Sequence, residues 1–280
     1  MIQLAGAFGD ATAGAARRAS RAEGAAAPIS LIAAASLASA LVLLPIAYTI
    51  VEAAGVDSRT AVELLFRPLV GQLLMNTIGL AIAASAIAAV IGVTAAWLVE
   101  RTDLPGRKLW AVLAAAPLAV PAFIASYAWV SLSNALQDFA GALLVVTFSY
   151  YPLIYLPVAA ALRGLDPGLE ETARSLGQGA WGSFFRVVLP QLRPALYGGM
   201  LLVALDILIE FGAFALLRFR TFTTELYAEY RTGLDGPESS LLAIVLIVLC
   251  VACLVGEVKV RGGARYALSL IHISEPTRPY

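Results

Sequence analysis

Long runs of alanine, leucine, isoleucine and valine alternate with short polar segments along this chain. A membrane-spanning helix needs ~20 mostly apolar residues. Six runs meet that length and predict spans at 29–51, 71–98, 110–131, 142–162, 195–217 and 240–256. The second is long enough to tilt or to project beyond the bilayer. Prolines 45, 117, 121, 152 and 157 fall inside the runs and predict kinks, since each removes a helix donor. The expected fold is an all-α integral membrane protein of six transmembrane helices.

One polar segment is more regular than the rest. Between the fourth and fifth runs stands EETARSLGQGAWGSFFRVVLP, beginning at Glu170. Asp166-Pro167 reads as a helix start, a capping carboxylate followed by proline at the first helical position. Glu170 and Glu171 follow where the helix dipole favours negative charge. Leu169, Ala173 and Leu176 repeat at helical spacing, and Gly177 fits a left-handed C-terminus. A second short helix carries Trp181, Phe184, Phe185 and Val188 on one stripe, with Leu189-Pro190 as its stop. Residues 163–194 therefore read as a helix–turn–helix whose aromatic limb packs on the bundle. Its first limb either projects as a small charged knob that docks in a groove of another protein or lies at the interface as an amphipathic connector, and spacing alone does not separate the two.

Composition places the whole chain in the membrane. It is 60% hydrophobic and 14% charged, with mean hydropathy +0.83, against about a quarter charged for soluble domains. Net charge is zero, which suggests no nucleic-acid partner. Lys/Arg placement gives the orientation. With the N-terminus cytoplasmic, 13 basic residues fall on the inner side and 5 on the outer. Both termini are then cytoplasmic, and so is 163–194. The first run exceeds a signal-peptide core and is read as an uncleaved anchor behind a mobile cytoplasmic tail, residues 1–28. Trp97, Trp110, Tyr150 and Tyr151 are read as interfacial aromatics.

The spacing of the polar segment carries a resemblance. Glu171-Thr172-Ala173, three residues, Gly177, nine residues, Val187, one residue, Leu189-Pro190 resembles the signature loop of binding-protein-dependent ABC importer permeases. That family's pattern reads E-A-A, three residues, G, nine residues, I, one residue, L-P. Thr172 and Val187 depart mildly. The resemblance implies that the knob is the coupling helix, seated in a groove of a cytoplasmic ATPase. Glu170, Glu171, Ala173, Gly177, Leu189 and Pro190 are then the ATPase-coupling residues. It also implies a type I permease domain over 70–257, entered at MNTIGLAIAAS (75–85). DILIEFGAFALLRFRTFTTELY (206–227) resembles the iron(III)-type subfamily, in which one polypeptide usually carries two homologous halves. On that reading the chain is an N-terminal half. Residues 268–280 resemble the translation of a sequencing-library adapter and are set aside, with His272, the only histidine.

The resemblance implies a bacterial inner membrane location and three partners: a cytoplasmic ATPase dimer, a periplasmic binding protein and a second permease half. No phosphate-loop motif G-x-x-x-x-G-K-[ST] occurs, so ATP and magnesium belong to the ATPase subunits. No cofactor, metal site or catalytic residue is expected in this chain. Cys250 and Cys253 lie in an apolar run and read as small span residues.

Candidate chemistry lies in the membrane. Asp206 and Glu210 are spaced i, i+4 near the middle of the fifth run, and intramembrane acids are functional by default. Two carboxylates so placed repel, which favours protonating one or holding a cation between them; hydrogen bonding to neighbouring helices with no contact to cargo is the competing role. That suits a cation better than sulfate or phosphate. Asn76 is a third candidate for the path, and interhelical bonding is its competing role, as for Thr77. Glu225, Glu229 and Arg231 fall in an expected external loop, 218–239. Iron(III) is the expected cargo; thiamine and polyamine are alternatives within the family. Two other classes compete: a proton-coupled transporter using Asp206 and Glu210, and a membrane scaffold.

Overall fold

The computed structural model describes residues 29–232 and 236–261. The 1–28 tail, His272 and the 268–280 segment lie outside the described residues. Every regular element among the described residues is helical. The chain divides into two compact units, one up to Val51 and one from Glu52 onward. The described part of the first is residues 29–51 of α1 (Ile29–Ala54), an apolar helix with Pro45 inside it. Its large side chains, from Ile29 to Val51, are exposed, as a lipid-facing helix requires.

The second unit opens with α2 (Ser58–Leu65), where the Asp57 carboxylate accepts from the Arg59 N–H at 3.1 Å. Next comes α3 (Pro68–Arg101), 34 residues with proline only at its start. At 1.5 Å per residue it is about 51 Å long. Its buried face is built of small residues, among them Ala81, Ala84, Ser85, Ala88, Gly92 and Ala96. Without a hydrophobic drive between helices in lipid, such a face contributes stability by letting backbones approach closely.

Two other spans use that face. The 142–162 run becomes α6 (Phe139–Tyr150) and α7 (Pro152–Gly164), separated by a break at Tyr151. The 195–217 run becomes part of α10 (Leu189–Ile209). Ile154 of α7 is fully buried in the central cluster with Leu80, Val203 and Ile207. A β-carbon added at Gly92 would stand 3.0 Å from Tyr155 N, and one at Gly199 would stand 2.8 Å from Ile154 Cα. The α7 backbone is therefore pinched between a glycine of α3 and a glycine of α10.

The 110–131 run is not one straight helix. It forms α4 (Arg107–Ala115), a 3₁₀ turn (Ala116–Ala119) and α5 (Ala122–Leu132). The two halves meet at 92°. Pro117 and Pro121 bracket the bend, each removing a backbone donor. The pair still crosses the bundle. Arg107 bonds Glu100 at the C-terminal end of α3. Just beyond α5, Phe139 packs edge-on against Phe219 with centroids 5.8 Å apart. Phe219 adjoins the turn whose Arg220 carbonyl accepts from Asn76, near the start of α3. Counting the bent pair as one span gives six among the described residues.

Three sequence expectations need correction. Leu189-Pro190 does not stop a helix: α9 (Ala180–Ser183), a π-helical turn (Phe184–Val188) and α10 run on as one 30-residue helix, Ala180–Ile209. The wider turn explains this. Proline cannot donate at 190, and the shift to i→i+5 bonding, with Leu189 N–H donating to Phe184 O, absorbs the missing bond locally. The Gln191 side chain then donates to Val187 O at 2.9 Å. The same helix ends at Ile209, not near 217; a short helix α11 (Gly212–Leu216) follows. Finally, 218–239 is mostly helix α12 (Phe222–Thr232), leading to α13 (Pro237–Arg261). The threonine-rich turn explains the last point. Thr221 N–H donates to the Thr224 hydroxyl at 2.9 Å and nucleates α12.

Candidate functional site

Two regions collect the candidate residues. The first is the polar segment at the C-terminal end of α3. Asp166 caps α8 (Pro167–Ser175), its carboxylate accepting from Gly168 N–H at 2.9 Å with Pro167 in the first turn. Glu170 and Arg174 pair at 3.1 Å across one turn. An exposed pair of this kind contributes about 0.3–0.5 kcal/mol, so it steadies the helix without deciding the fold. Gly177 has φ +84°, and Gln178 N–H donates to Ala173 O at 3.1 Å. That 6→1 closure with a left-handed glycine is the helix ending the spacing predicted.

Burial is selective here. Ala173 is 7% exposed, whereas Leu169, Leu176 and Trp181 are 50%, 79% and 76% exposed. Glu171 is exposed as well. Ala173 is the small contact point of α8 against the helix that follows. Leu169, Leu176 and Trp181 leave apolar surface uncovered around charged positions. The aromatic stripe divides likewise. Phe184 packs edge-on against Trp97 of α3 at 4.7 Å, while Phe185 stacks on Trp181 and stays exposed. Leu189 and Pro190 lie half-buried inside the continuous helix, and Leu189 lines an apolar groove of about 580 Å³ with Trp97 and Phe184.

The second region lies where α10 breaks. Asp206 is in the last turn of α10, but Glu210 is its C-cap, with ψ 127°. The two carboxylates therefore do not stack on one helical face. Glu210 Oε1 accepts from Ala213 N–H at 2.9 Å and caps α11, and Glu210 Oε2 accepts from the Tyr150 hydroxyl at 2.5 Å. The Thr223 hydroxyl donates to Glu210 O at 2.6 Å. Tyr150 is the residue that sequence reasoning misplaced. With Tyr151 it sits at the α6–α7 break, halfway along Phe139–Gly164, not at an interface. Tyr-Tyr-Pro inside an apolar run was the available signal, since the proline frees backbone that must be satisfied nearby.

Breaks converge at this level. The α10–α11 break touches the α4–α5 bend, where a β-carbon on Gly212 would stand 3.0 Å from Phe123 Cβ. Interrupted helices at mid-depth are tolerated where they line a cavity or are packed in protein. Glu210, half-buried, is both cap and acceptor. Substituting Glu210 with alanine removes both bonds, and the thermal midpoint of the purified protein should fall by more than in Glu210→Gln, whose carbonyl oxygen still caps α11. Equal midpoints for the two variants would show that the cap contributes nothing.

Asn76 is not at this level. Its side-chain amide donates to Arg220 O at 2.9 Å, and Phe222 N–H donates to the Thr77 hydroxyl at 3.0 Å. Both residues thus bond across to the turn before α12. Glu225 pairs with Arg220 at 2.8 Å near the same end. Among the described residues no three His, Cys, Asp or Glu side chains gather to hold a metal ion.

Comparison with known proteins agrees with this architecture. The chain is 38% identical over 238 residues to the Fe(3+)-transport system permease protein FbpB 2 of Haemophilus influenzae, a match covering 85% of this chain and 46% of that protein. The chain thus spans about half the length of that relative. It is 29% identical over 227 residues to the sulfate transport system permease protein CysT of Escherichia coli, covering 74% of this chain and 82% of that one. Among solved structures, a bacterial alginate ABC transporter in complex with a pentasaccharide-bound periplasmic protein shares the fold. Its TM-score is 0.67 at 14% identity, over 82% of this chain and 93% of the other. The MetNI methionine ABC transporter, in an inward-facing form, gives 0.58 at 15% identity, over 71% and 100%. Residues 89–258, from the middle of α3 through the polar segment and the α10 break into α13, match the binding-protein-dependent transport system inner membrane component, and the chain belongs to that family.

Proposed function

We propose that the chain forms the membrane path of an ATP-driven importer, fed by an external binding protein and driven by a separate ATPase pair. One observation carries this reading: α8 is an exposed, capped, glycine-ended helix that leaves Leu169 and Leu176 uncovered outside the bundle. Uncovered apolar side chains on a charged helix suit burial in a groove of another protein. On this reading Glu170, Glu171, Ala173 and Gly177 meet the ATPase, and Leu189 and Pro190 shape the helix behind them. The 163–194 segment and both ends of the span region face the cytoplasm, in keeping with the Lys/Arg distribution. A second permease half completes the path, because one coupling helix engages one ATPase subunit.

The cargo is ferric iron. The iron-transport relative at 38% identity supports this choice. So does the oxygen-donor chemistry of Asp206, Glu210 and the Tyr150 hydroxyl at the α10 break. Carboxylates suit a hard cation and repel an oxyanion such as sulfate. The test is reconstitution of the full-length permease with its ATPase and binding protein in proteoliposomes, reading uptake of radiolabelled ferric iron. Uptake should require ATP and the ATPase. Uptake that persists without the ATPase and collapses with the proton gradient would overturn the importer reading in favour of a secondary transporter. ATP-dependent uptake of sulfate or molybdate in place of iron would keep the importer and overturn the cargo.

A further inference from the structure

The C-terminal end of α3 grips both limbs of the polar segment. Glu100 Oε1 accepts from Arg163 Nη1 at 2.6 Å, and Arg163 lies in the last turn of α7, three residues before the α8 cap. Arg101 Nη2 donates to Leu162 O at 3.1 Å and satisfies a carbonyl at the end of α7. Trp97 holds the other limb through Phe184. Glu100 also accepts from Arg107 Nη2 at 3.5 Å. Its side chain is only 4% exposed, while those of Arg163 and Arg107 are 59% and 56% exposed. A carboxylate so buried must stay paired, because losing its partner leaves an uncompensated charge.

The opposite end of α3 is fastened too. Thr77, 1% exposed, accepts from Phe222 N–H, and Asn76 donates to Arg220 O. That turn follows Arg218, a non-glycine residue at φ +52°. It leads back through α11 to Glu210. The two fastenings, at Thr77 and Glu100, are about 35 Å apart along the helix. Between them α3 has no proline, whereas α1, α7, α10 and the α4–α5 pair each contain or adjoin one. An unbroken helix fastened at both ends moves as one body; a broken one absorbs displacement at the break.

We propose that α3 is a push rod, with Glu100 as the positioning residue that couples displacement of α8 to the Arg220–Phe222 turn at the far end. This rests on the importer reading above. When α8 is drawn by its partner, Arg163 and Phe184 carry the α3 end with them. Thr77 then shifts the turn that leads to the Glu210 break.

The test is a double-mutant cycle in the full-length transporter in proteoliposomes, reading cargo moved per ATP hydrolysed and normalised to assembled complex. Glu100→Gln loosens one end and Thr77→Val the other. Each should lower transport per ATP by about three- to tenfold. The double variant should lose clearly less than the product of the two single losses, since looseness at one end already limits what the other end receives. Arg163→Lys, which keeps the charge opposite Glu100, should retain most of the coupling. Factors that multiply in the double variant would show two independent local roles and overturn the proposal. So would unchanged transport per ATP in both singles, or a parallel loss of uptake and hydrolysis tracking only the amount of complex. If wild-type transporter shows no ATP-dependent uptake, the importer reading itself fails and the rod falls with it.

Discussion

The Gly199→Val variant should be strongly destabilising to the bundle. A β-carbon at that position would stand 2.8 Å from Ile154 Cα and 2.9 Å from Leu153 O. Both are backbone atoms, so no rotamer change relieves the contact. Ile154 is fully buried, and α7 is held from the other side by Gly92. The helices must separate, which costs about 1–3 kcal/mol, and separation undoes the small-residue packing on α3 as well. Thermal unfolding of purified protein should show a clear drop for Gly199→Ala and little folded protein for Gly199→Val. Gly79→Ala is the comparison. It lies in the same bundle, on α3, with nothing within 4 Å of the added carbon, and should be neutral or slightly stabilising. A Gly199→Ala midpoint equal to that of Gly79→Ala would show that α7 and α10 are not in close contact.

The second large effect falls on function. A side chain at Gly177 would meet open space, since nothing lies within 4 Å of an added β-carbon, but the φ of +84° excludes most residues. Here the cost is conformational, not steric. A β-branched residue in the left-handed region costs about 1–2 kcal/mol, enough to shift the population of correctly ended α8 by about five- to thirtyfold. On the importer reading proposed above, Gly177→Val should therefore fold, bind the ATPase poorly and import about five- to thirtyfold less, with hydrolysis outlasting uptake. Gly177→Asn should stay near wild type, because asparagine accepts the left-handed conformation with the least strain after glycine. Normal import by Gly177→Val would remove α8 from the coupling route.

These two glycines show what was legible in the chain. Gly177 could be read because a helix ending is local: Asp166, Pro167 and Gly177 each act within a turn of themselves. Gly199 carries no such mark, since what it touches is the backbone of a residue 45 positions earlier, Ile154. The same division runs through the site. The existence and order of the spans follow from apolar runs, and the runs 29–51, 71–98 and 240–256 correspond closely to α1, α3 and α13. The ends of α10 do not follow. Leu189-Pro190 looks like a stop unless the π-helical turn is known, and that turn, Phe184–Val188, absorbs the donor that Pro190 lacks. Asp206 and Glu210 share a face only if the helix continues, and it ends between them because Glu210 is engaged by Tyr150 and by α11. Glu100 looks like an ordinary charge at a span end. Its burial depends on Arg163, 63 residues later.

The bend between α4 and α5 bears on how the protein is made. Neither half alone, Arg107–Ala119 or Ala122–Leu132, reaches the length that inserts as a span; together they do. The nascent chain must therefore commit them to the bilayer as one segment. The packing around the bend is completed afterwards, when Gly212 and the rest of α11 arrive from the ribosome to sit beside Phe123. Biogenesis thus has a waiting step of about ninety residues, roughly 5–20 s of synthesis at ~5–20 residues per second. During that time the proline-bracketed bend stands in the membrane without the α11 neighbour that packs beside Phe123.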